Sequence, residues 1–251
     1  MAKILKLTIL FLFIFSNATA KDLLFGTCDY PPYYGSNLKN GGPVIEVIKM
    51  AFQKADPPHR VKVVFSTWTR ALQNAKIGYS SGLLGEWYSK EREKDFIFSD
   101  PFYENVVGFY KVTNIQMPKF FLDFKSLKKY KIGVCLGYVN PEGFDEAGLQ
   151  VEKVGSDLLN LRKLVFNRID LILIDQGVAE YYLATNVKEF GSDVTGVEWV
   201  SPPLQVFKMY VTAPRSNPNS KDIIAQFNKG LKKLNEEMKV HSYIQESLLK
   251  Y

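Results

Sequence analysis

Apolar residues recur along this chain with two periods, one typical of strands and one typical of helices. Residues 60–66 alternate in polarity and are β-branched, which predicts a strand. In residues 43–55, an opening proline is followed by apolar side chains that share one helical face, which predicts an amphipathic helix. Such segments alternate through the whole chain. We therefore predict an α/β fold with mainly parallel sheets.

The second half of the chain repeats this scheme. Residues 169–175, IDLILID, are too continuously apolar for a half-exposed strand and suit a parallel strand covered on both faces. Before them, Ser156 is placed to cap a helix that carries Leu158, Leu161 and Leu164 on one stripe. Residues 106–112, VVGFYKV, and residues 206–212, VFKMYVT, are similar to each other, and each predicts a strand.

The N-terminus has the three parts of a secretory signal peptide. Lys3 and Lys6 precede a nearly continuous apolar run, residues 7–15, and small residues end at Ala20. A membrane anchor is the alternative, but the apolar run is well short of the roughly 20 residues that span a bilayer. We predict a signal peptide over residues 1–20, cleavage after Ala20 and a soluble periplasmic protein.

Composition excludes several classes of partner. Loss of Lys3 and Lys6 with the signal peptide lowers the formal net charge from +6 to +4, and the remaining lysines are scattered rather than clustered as in a nucleic-acid-binding stripe. The two histidines, His59 and His241, have no neighbouring cysteine or carboxylate at ligand spacing, so no metal is predicted. We also predict no cofactor, no catalytic residue and a monomer.

Two cysteines in an oxidising compartment raise the question of a disulfide. Cys28 and Cys135 occupy similar settings, each at the end of a predicted strand before a turn with an aromatic residue. Because equivalent places in two α/β halves usually lie apart, we predict two free thiols.

Five blocks carry a resemblance to a known family: WTRAL, KEREKDFIFSDPF, YKIGVCLGY, NLRKLVFNRIDLILID and AQFNKGLKKL. In order and spacing they resemble the family 3 extracellular solute-binding proteins of bacterial polar-amino-acid uptake systems. The resemblance implies a type II periplasmic binding protein fold, with two α/β lobes joined by two hinge strands. Residues 21–112 and 206–251 would form the first lobe and residues 113–205 the second, with 106–112 and 206–212 as the hinges.

The resemblance also implies two charged ligand-binding residues. Arg92 stands six residues before Phe98 of the FSDP turn, where the family's arginine binds the ligand's α-carboxylate through paired hydrogen bonds. Asp175 matches the family's acidic residue for the α-ammonium group. The alternatives are an exposed ion pair of Arg92 with Glu91 or Glu93, and a helix cap at Asp175.

Aromatic residues complete the predicted site. Tyr30 matches the family's stacking position, and Trp68 is a second candidate, although it is also a plausible core residue. The chain departs from the family at Glu86 and Trp87, where relatives carry small hydroxyl residues, and at Tyr138, which replaces a threonine or serine after glycine. These changes put recognition of an α-amino acid in doubt, and Glu86 is placed to meet a cationic ligand.

The resemblance implies a periplasmic binding protein that captures a small polar solute, an amino acid or a related carboxylate, for the membrane permease of an ABC transporter. Two alternatives stay open at this point. One is an enzyme on the same scaffold, such as a dehydratase, in which a buried acid like Glu86 would transfer protons. The other is a sensory module that acts through a separate receptor.

Overall fold

The computed structural model describes residues 21–117 and 123–251. The predicted signal peptide lies outside the described residues, so it stays a prediction. Strands and helices alternate along the chain as the sequence predicts, and the α/β class is confirmed. No helix in these two ranges is both long and apolar enough to cross a membrane.

Ten strands are present in the described ranges. They are β1 (Lys21–Thr27), β2 (His59–Phe65), β3 (Gly82–Trp87), β4 (Phe96–Phe98), β5 (Tyr103–Val112), β6 (Lys131–Cys135), β7 (Gln150–Val154), β8 (Leu171–Asp175), β9 (Val197–Trp199) and β10 (Gln205–Pro214). The helices are α1 (Pro43–Lys54), α2 (Trp68–Lys76), α3 (Lys90–Asp95), α4 (Asp157–Val165), α5 (Gln176–Thr185), α6 (Val187–Phe190), α7 (Ser220–Glu237) and α8 (Val240–Leu248). Short 3-10 turns occur at Lys39–Gly41, Phe124–Leu127, Asp145–Ala147 and Gly191–Gly196.

The strands form one continuous sheet in the order β2-β1-β3-β10-β5-β8-β6-β7, with β4 on β10 and β9 on β5. Parallel pairing is confined to the two outer parts, where β1 pairs with β2 and β3, and β6 pairs with β7 and β8. The centre is antiparallel. The expectation of mainly parallel sheets was therefore wrong, because the two long strands that cross the middle of the sheet run against all their neighbours.

These long central strands, β5 and β10, contain the two segments that the resemblance implies to be hinges. They lie side by side in antiparallel register, from Val107 opposite Gln205 to Tyr103 opposite Met209. Strands β1 to β3 lie on the β10 side and strands β6 to β8 on the β5 side. The lobe boundaries and the bending of these strands remain predictions.

The predicted amphipathic helices bury the faces that the sequence indicates. In α1 the five residues of the predicted stripe are fully buried: Val44, Val47, Ile48, Ala51 and Phe52. Helix α7 packs against α1 so closely that a Cβ on Gly230 would lie 1.8 Å from the carbonyl oxygen of Ala51. Sequence reasoning missed α8 and β7, and it did not recognise the charged run Lys90–Asp95 as a helix.

Candidate ligand-binding site

The predicted site residues meet where strands from both sides of the sheet end. Glu86 and Trp87 close β3, Asp175 closes β8, and Tyr138 lies in the turn after β6. Open α/β sheets bind ligands beyond the carboxyl ends of their strands. Two neighbouring cavities occur here, and Trp87, Tyr138 and Val139 line both.

Tyr138 is the centre of an aromatic cluster. Its ring centroid lies 6.0 Å from that of Tyr30, 6.3 Å from that of Trp68 and 5.8 Å from that of Trp87, all with edge-on geometry. Trp87 in turn stacks on Phe207 of β10 at 4.5 Å. The structure thus brings together all four aromatic residues predicted for the site. A tyrosine from the β6 side fills the space between rings from the β3 side.

A backbone irregularity aims Glu86 into this region. Gly85 is an extra residue in β3, because Tyr210 pairs with Glu86 while Val211 pairs with Leu84. Its φ of +77° is in the left-handed region that favours glycine, and a Cβ there would lie 2.5 Å from the Tyr34 hydroxyl. Beyond this bulge, Glu86 accepts a 2.6 Å hydrogen bond from the Thr212 hydroxyl.

Glu86 is 1% exposed and is paired with Arg92. Its Oε1 lies 3.4 Å from the arginine Nε, although that oxygen has no hydrogen bond of good geometry among the described residues. Burial raises the pKa of Glu86 to about 7, against the lowering effects of the Thr212 hydrogen bond and the Arg92 charge. The charge partner of Glu86 in this structure is therefore an arginine of the same chain.

Arg92 points inward from the charged helix α3. Ser89 caps this helix by accepting a hydrogen bond from the Arg92 backbone amide. The guanidinium Nη2 donates a 2.6 Å hydrogen bond to the carbonyl of Gly137, which also accepts one from the Trp68 indole at 3.0 Å. The side chain is 12% exposed.

The exposed ion pairs considered as the alternative for Arg92 are not what the structure shows. Glu91 pairs with Lys94, and Glu93 accepts a hydrogen bond from Tyr88. Binding of a ligand carboxylate by Arg92 stays a prediction, since its guanidinium already contacts Glu86 and Gly137.

Asp175 both caps a helix and faces a cavity. One carboxylate oxygen, Oδ1, accepts a 2.9 Å hydrogen bond from the Val178 backbone amide at the start of α5, so the capping alternative is observed. The other oxygen, Oδ2, makes no hydrogen bond of good geometry in the part of the chain that the structure describes, and the residue is 1% exposed. Hydrogen bonding from the nearby Tyr33 hydroxyl and Asn105 amide still lowers the Asp175 pKa against the larger effect of burial. Burial raises the Asp175 pKa to about 7. The cap uses one oxygen only, so ammonium binding by the other remains a prediction.

Sequence reasoning missed a second buried aspartate, Asp157. It is 4% exposed, is the first residue of α4, and lines the same cavity as Asp175. Its Oδ2 accepts a 3.1 Å hydrogen bond from the Tyr138 hydroxyl, and burial raises its pKa to about 7. The sequence Ser-Asp at a helix start is typical of an exposed cap, so nothing in it indicated burial.

The cysteines also border the cluster. Both thiols are free and buried, which confirms that prediction. The expectation that the two cysteines lie apart holds only in part, because both strand ends approach the same tyrosine. The Cys28 sulfur lies 3.5 Å from the Tyr138 hydroxyl. Hydrogen bonding by Tyr138 lowers the pKa of Cys135 against the larger effect of burial. Burial raises the pKa of Cys28 to about 12. Burial also raises the pKa of Cys135, so neither thiol ionises near neutral pH.

The histidines lie elsewhere, His59 against Phe52 and His241 stacked on Tyr103. Within residues 21–117 and 123–251, no group of three or more histidine, cysteine, aspartate or glutamate side chains is arranged to hold a metal ion.

Solved structures of similar fold cover almost the entire chain. A histidine kinase sensor domain with similarity to periplasmic binding proteins matches with a TM-score of 0.77 at 17% identity, over 92% of this chain and 96% of that one. The substrate-binding protein of an amino acid ABC transporter matches with a TM-score of 0.70 at 18% identity, over 90% and 98%. An ancestral arginine-binding protein bound to arginine matches with a TM-score of 0.73 at 21% identity, over 90% and 97%.

No protein-family model and no curated protein matches the sequence. At these identities the structural likeness shows the fold, and the predicted periplasmic binding protein fold is confirmed.

Proposed function

We propose that this protein captures a small polar solute in the cleft around Tyr138 and delivers it to a membrane permease. The observation that carries the proposal is Asp175, a buried residue that lines a cavity between the two sides of the sheet and whose Oδ2 makes no hydrogen bond of good geometry among the described residues. A buried polar group without a partner costs free energy unless something binds it. Structures of the same fold are described as an arginine-binding protein and as the substrate-binding protein of an amino acid ABC transporter.

The remaining parts of the proposal follow from the same role. Residues 1–20 would direct export to the periplasm, and the mature protein would work as a monomer that closes by bending at β5 and β10. We propose binding without turnover. Glu86, the acid considered for proton transfer in an enzyme, is held by Thr212 and Arg92 rather than free in the cavity.

Native mass spectrometry of gently purified protein, followed by fluorescence titration of the solute that it identifies, tests this function. Two of the three tryptophans, Trp68 and Trp87, line the cleft cavity, whereas Trp199 packs on Tyr110. We expect a saturable fluorescence change that persists in Trp199→Phe and decreases in Trp87→Phe. A change that disappears with Trp199→Phe would place binding outside the cleft, and chemical conversion of the recovered solute would replace binding by catalysis.

A further inference from the structure

The cleft lining contains acidic residues and no basic ones among the residues of its three cavities. The third of these cavities opens beside the other two; Tyr138 lines all three, and Cys28 lines the first and the third. Across the three cavities the charged side chains among the lining residues are all acidic: Asp29, Glu86, Asp157 and Asp175. Asp29 is exposed at the mouth and the other three are buried.

Arg92 at the edge of this region offsets a single acid. Its guanidinium pairs with Glu86 and donates to the Gly137 carbonyl. A ligand carboxylate would have to share this cation with a glutamate that is 1% exposed. Arg92 therefore balances Glu86 and leaves the other carboxyl groups of the cleft without a cation among the described residues.

Asp157 and Asp175 have no cationic partner within the described ranges. Hydrogen bonding with Tyr138 lowers the pKa of Asp157, and hydrogen bonding with Tyr33 and Asn105 lowers that of Asp175. The charge of Asp175 raises the pKa of Asp157, and the surrounding ionisable groups that the two aspartates affect are hydroxyls and thiols: Cys28, Cys135, Tyr30, Tyr34, Tyr103 and Tyr182. Asp175 Oδ2 and the Asn105 amide nitrogen are both buried, and neither makes a hydrogen bond of good geometry there. An oxygen without a well-formed hydrogen bond, in a cavity that two carboxyl groups line, points to a positively charged occupant.

The walls of the cleft suit the rest of such a ligand. Rings of Tyr30, Trp68, Trp87 and Tyr138 surround the first cavity. Aromatic faces attract organic cations, and their apolar area contacts an alkyl or aryl chain.

We propose, on the basis of the proposed solute-binding function, that the cleft selects an organic amine without a carboxylate and binds its ammonium group between Asp157 and Asp175. The binding step is an ion exchange. In the empty site the buried carboxyls hold protons at and below neutral pH, and the cationic amine replaces them. Binding should release protons, and affinity should rise between pH 6 and pH 8.

Matched pairs that differ only in a carboxylate test the selection directly. We would titrate cadaverine against lysine, agmatine against arginine and tyramine against tyrosine into the wild-type protein by calorimetry. We expect the tightest amine to bind at least about tenfold more strongly than its amino acid, since the acid adds a charge that the cleft does not match. Proton release, measured in buffers of different ionisation enthalpy, should accompany amine binding.

Two variants with the same chemical change locate the amine. Asp157→Asn keeps an oxygen to accept from Tyr138 but removes the charge, so amine affinity should fall about 10- to 100-fold. Asp222→Asn alters an exposed aspartate in the first turn of α7, away from all three cavities, and should leave amine affinity unchanged. Equal losses in both variants would overturn the assignment to Asp157.

The outcomes separate this inference from the broader function. Equal or tighter binding of the amino acid in every pair would overturn the amine selection while leaving the solute-binding function intact. If neither member of any pair binds, the amine selection is also overturned, and native mass spectrometry still decides whether another solute occupies the cleft. Proton uptake on binding would likewise contradict a cationic ligand.

Discussion

The two sides of the cleft handle buried carboxylates in different ways. On the β3 side, Glu86 is held by the Thr212 hydroxyl and by the charge of Arg92. On the β8 side, Asp175 and Asp157 meet a backbone amide and a tyrosine hydroxyl but no cation within the described ranges. Burial raises the pKa of all three to about 7, although their partners differ.

This difference teaches that burial alone does not identify a binding group. A buried carboxylate that is paired inside the protein can position neighbouring elements. Here Arg92, held by Glu86, also donates to Gly137 on the β6 side. A buried carboxylate that has no cation of the protein beside it has capacity for a ligand, as Asp175 has within the described ranges. The first arrangement joins the two sides of the cleft, and the second leaves a site between them.

Removing the Arg92 side chain should have the largest effect on the stability of the ligand-free protein. Arg92→Ala leaves Glu86 buried without its cation, and broken buried pairs typically cost about 3 to 5 kcal/mol of unfolding free energy. Urea denaturation at pH 8 measures this loss. The loss should shrink at pH 6, where Glu86 takes up a proton.

The double variant Arg92→Ala with Glu86→Gln serves as the control, because a neutral side chain of similar shape no longer needs the arginine. It should recover most of the lost stability. No recovery would mean that the hydrogen bond to Gly137, rather than the pair, makes Arg92 important.

The pH dependence of stability should follow from the buried carboxyls, of which Asp157 and Asp175 have no cationic partner within the described ranges. The folded-state pKa values of about 7 lie above the usual 4 or so of unfolded carboxyls, so the folded protein binds more protons between these values. Raising the pH through this window therefore lowers stability. Each unit of difference at one group corresponds to about 1.4 kcal/mol, or roughly 2 to 4 °C in melting temperature for a chain of this size.

Calorimetric melting of the ligand-free protein should accordingly show a lower melting temperature at pH 8 than at pH 5. Asp175→Asn removes one of the titrating groups and should make the dependence shallower. A melting temperature that rises over the same pH range would show that these carboxyls are ionised in the folded protein.

The smallest effect on stability is expected for Lys94, two residues from Arg92. Lys94 belongs to the same short helix, and its pair with Glu91 is exposed on both sides, at 70% and 80% of their side-chain areas. Solvent screens such pairs, so Lys94→Ala should leave the urea midpoint unchanged within error. A loss comparable to that of Arg92→Ala would mean that the charged helix matters as a whole rather than through its one inward residue.

Much of this molecule follows from local pattern. The helical stripe of α1, the continuously apolar strand β8 and the two similar central strands were predicted from residue spacing, because side-chain periodicity reports which face of an element is buried. The family resemblance, rather than spacing, assigned Arg92, Asp175 and Tyr30 to one site, and Trp68, Glu86, Trp87 and Tyr138 were judged against the same pattern.

Sequence by itself therefore determined the α/β alternation, the buried faces and the residues that converge beyond the strand ends. Only the tertiary structure decided which of those residues satisfy one another. Glu86 lies on a bulged strand and Arg92 on a capped helix, and no sequence pattern predicts how these two elements are placed relative to each other. The sequence around Asp157 is that of an ordinary helix start, and only the hydrogen bond from Tyr138 in the folded protein shows that this aspartate belongs to the cleft. Pairing and desolvation depend on what packs against a side chain from distant parts of the chain, and residue spacing along one element carries no information about that.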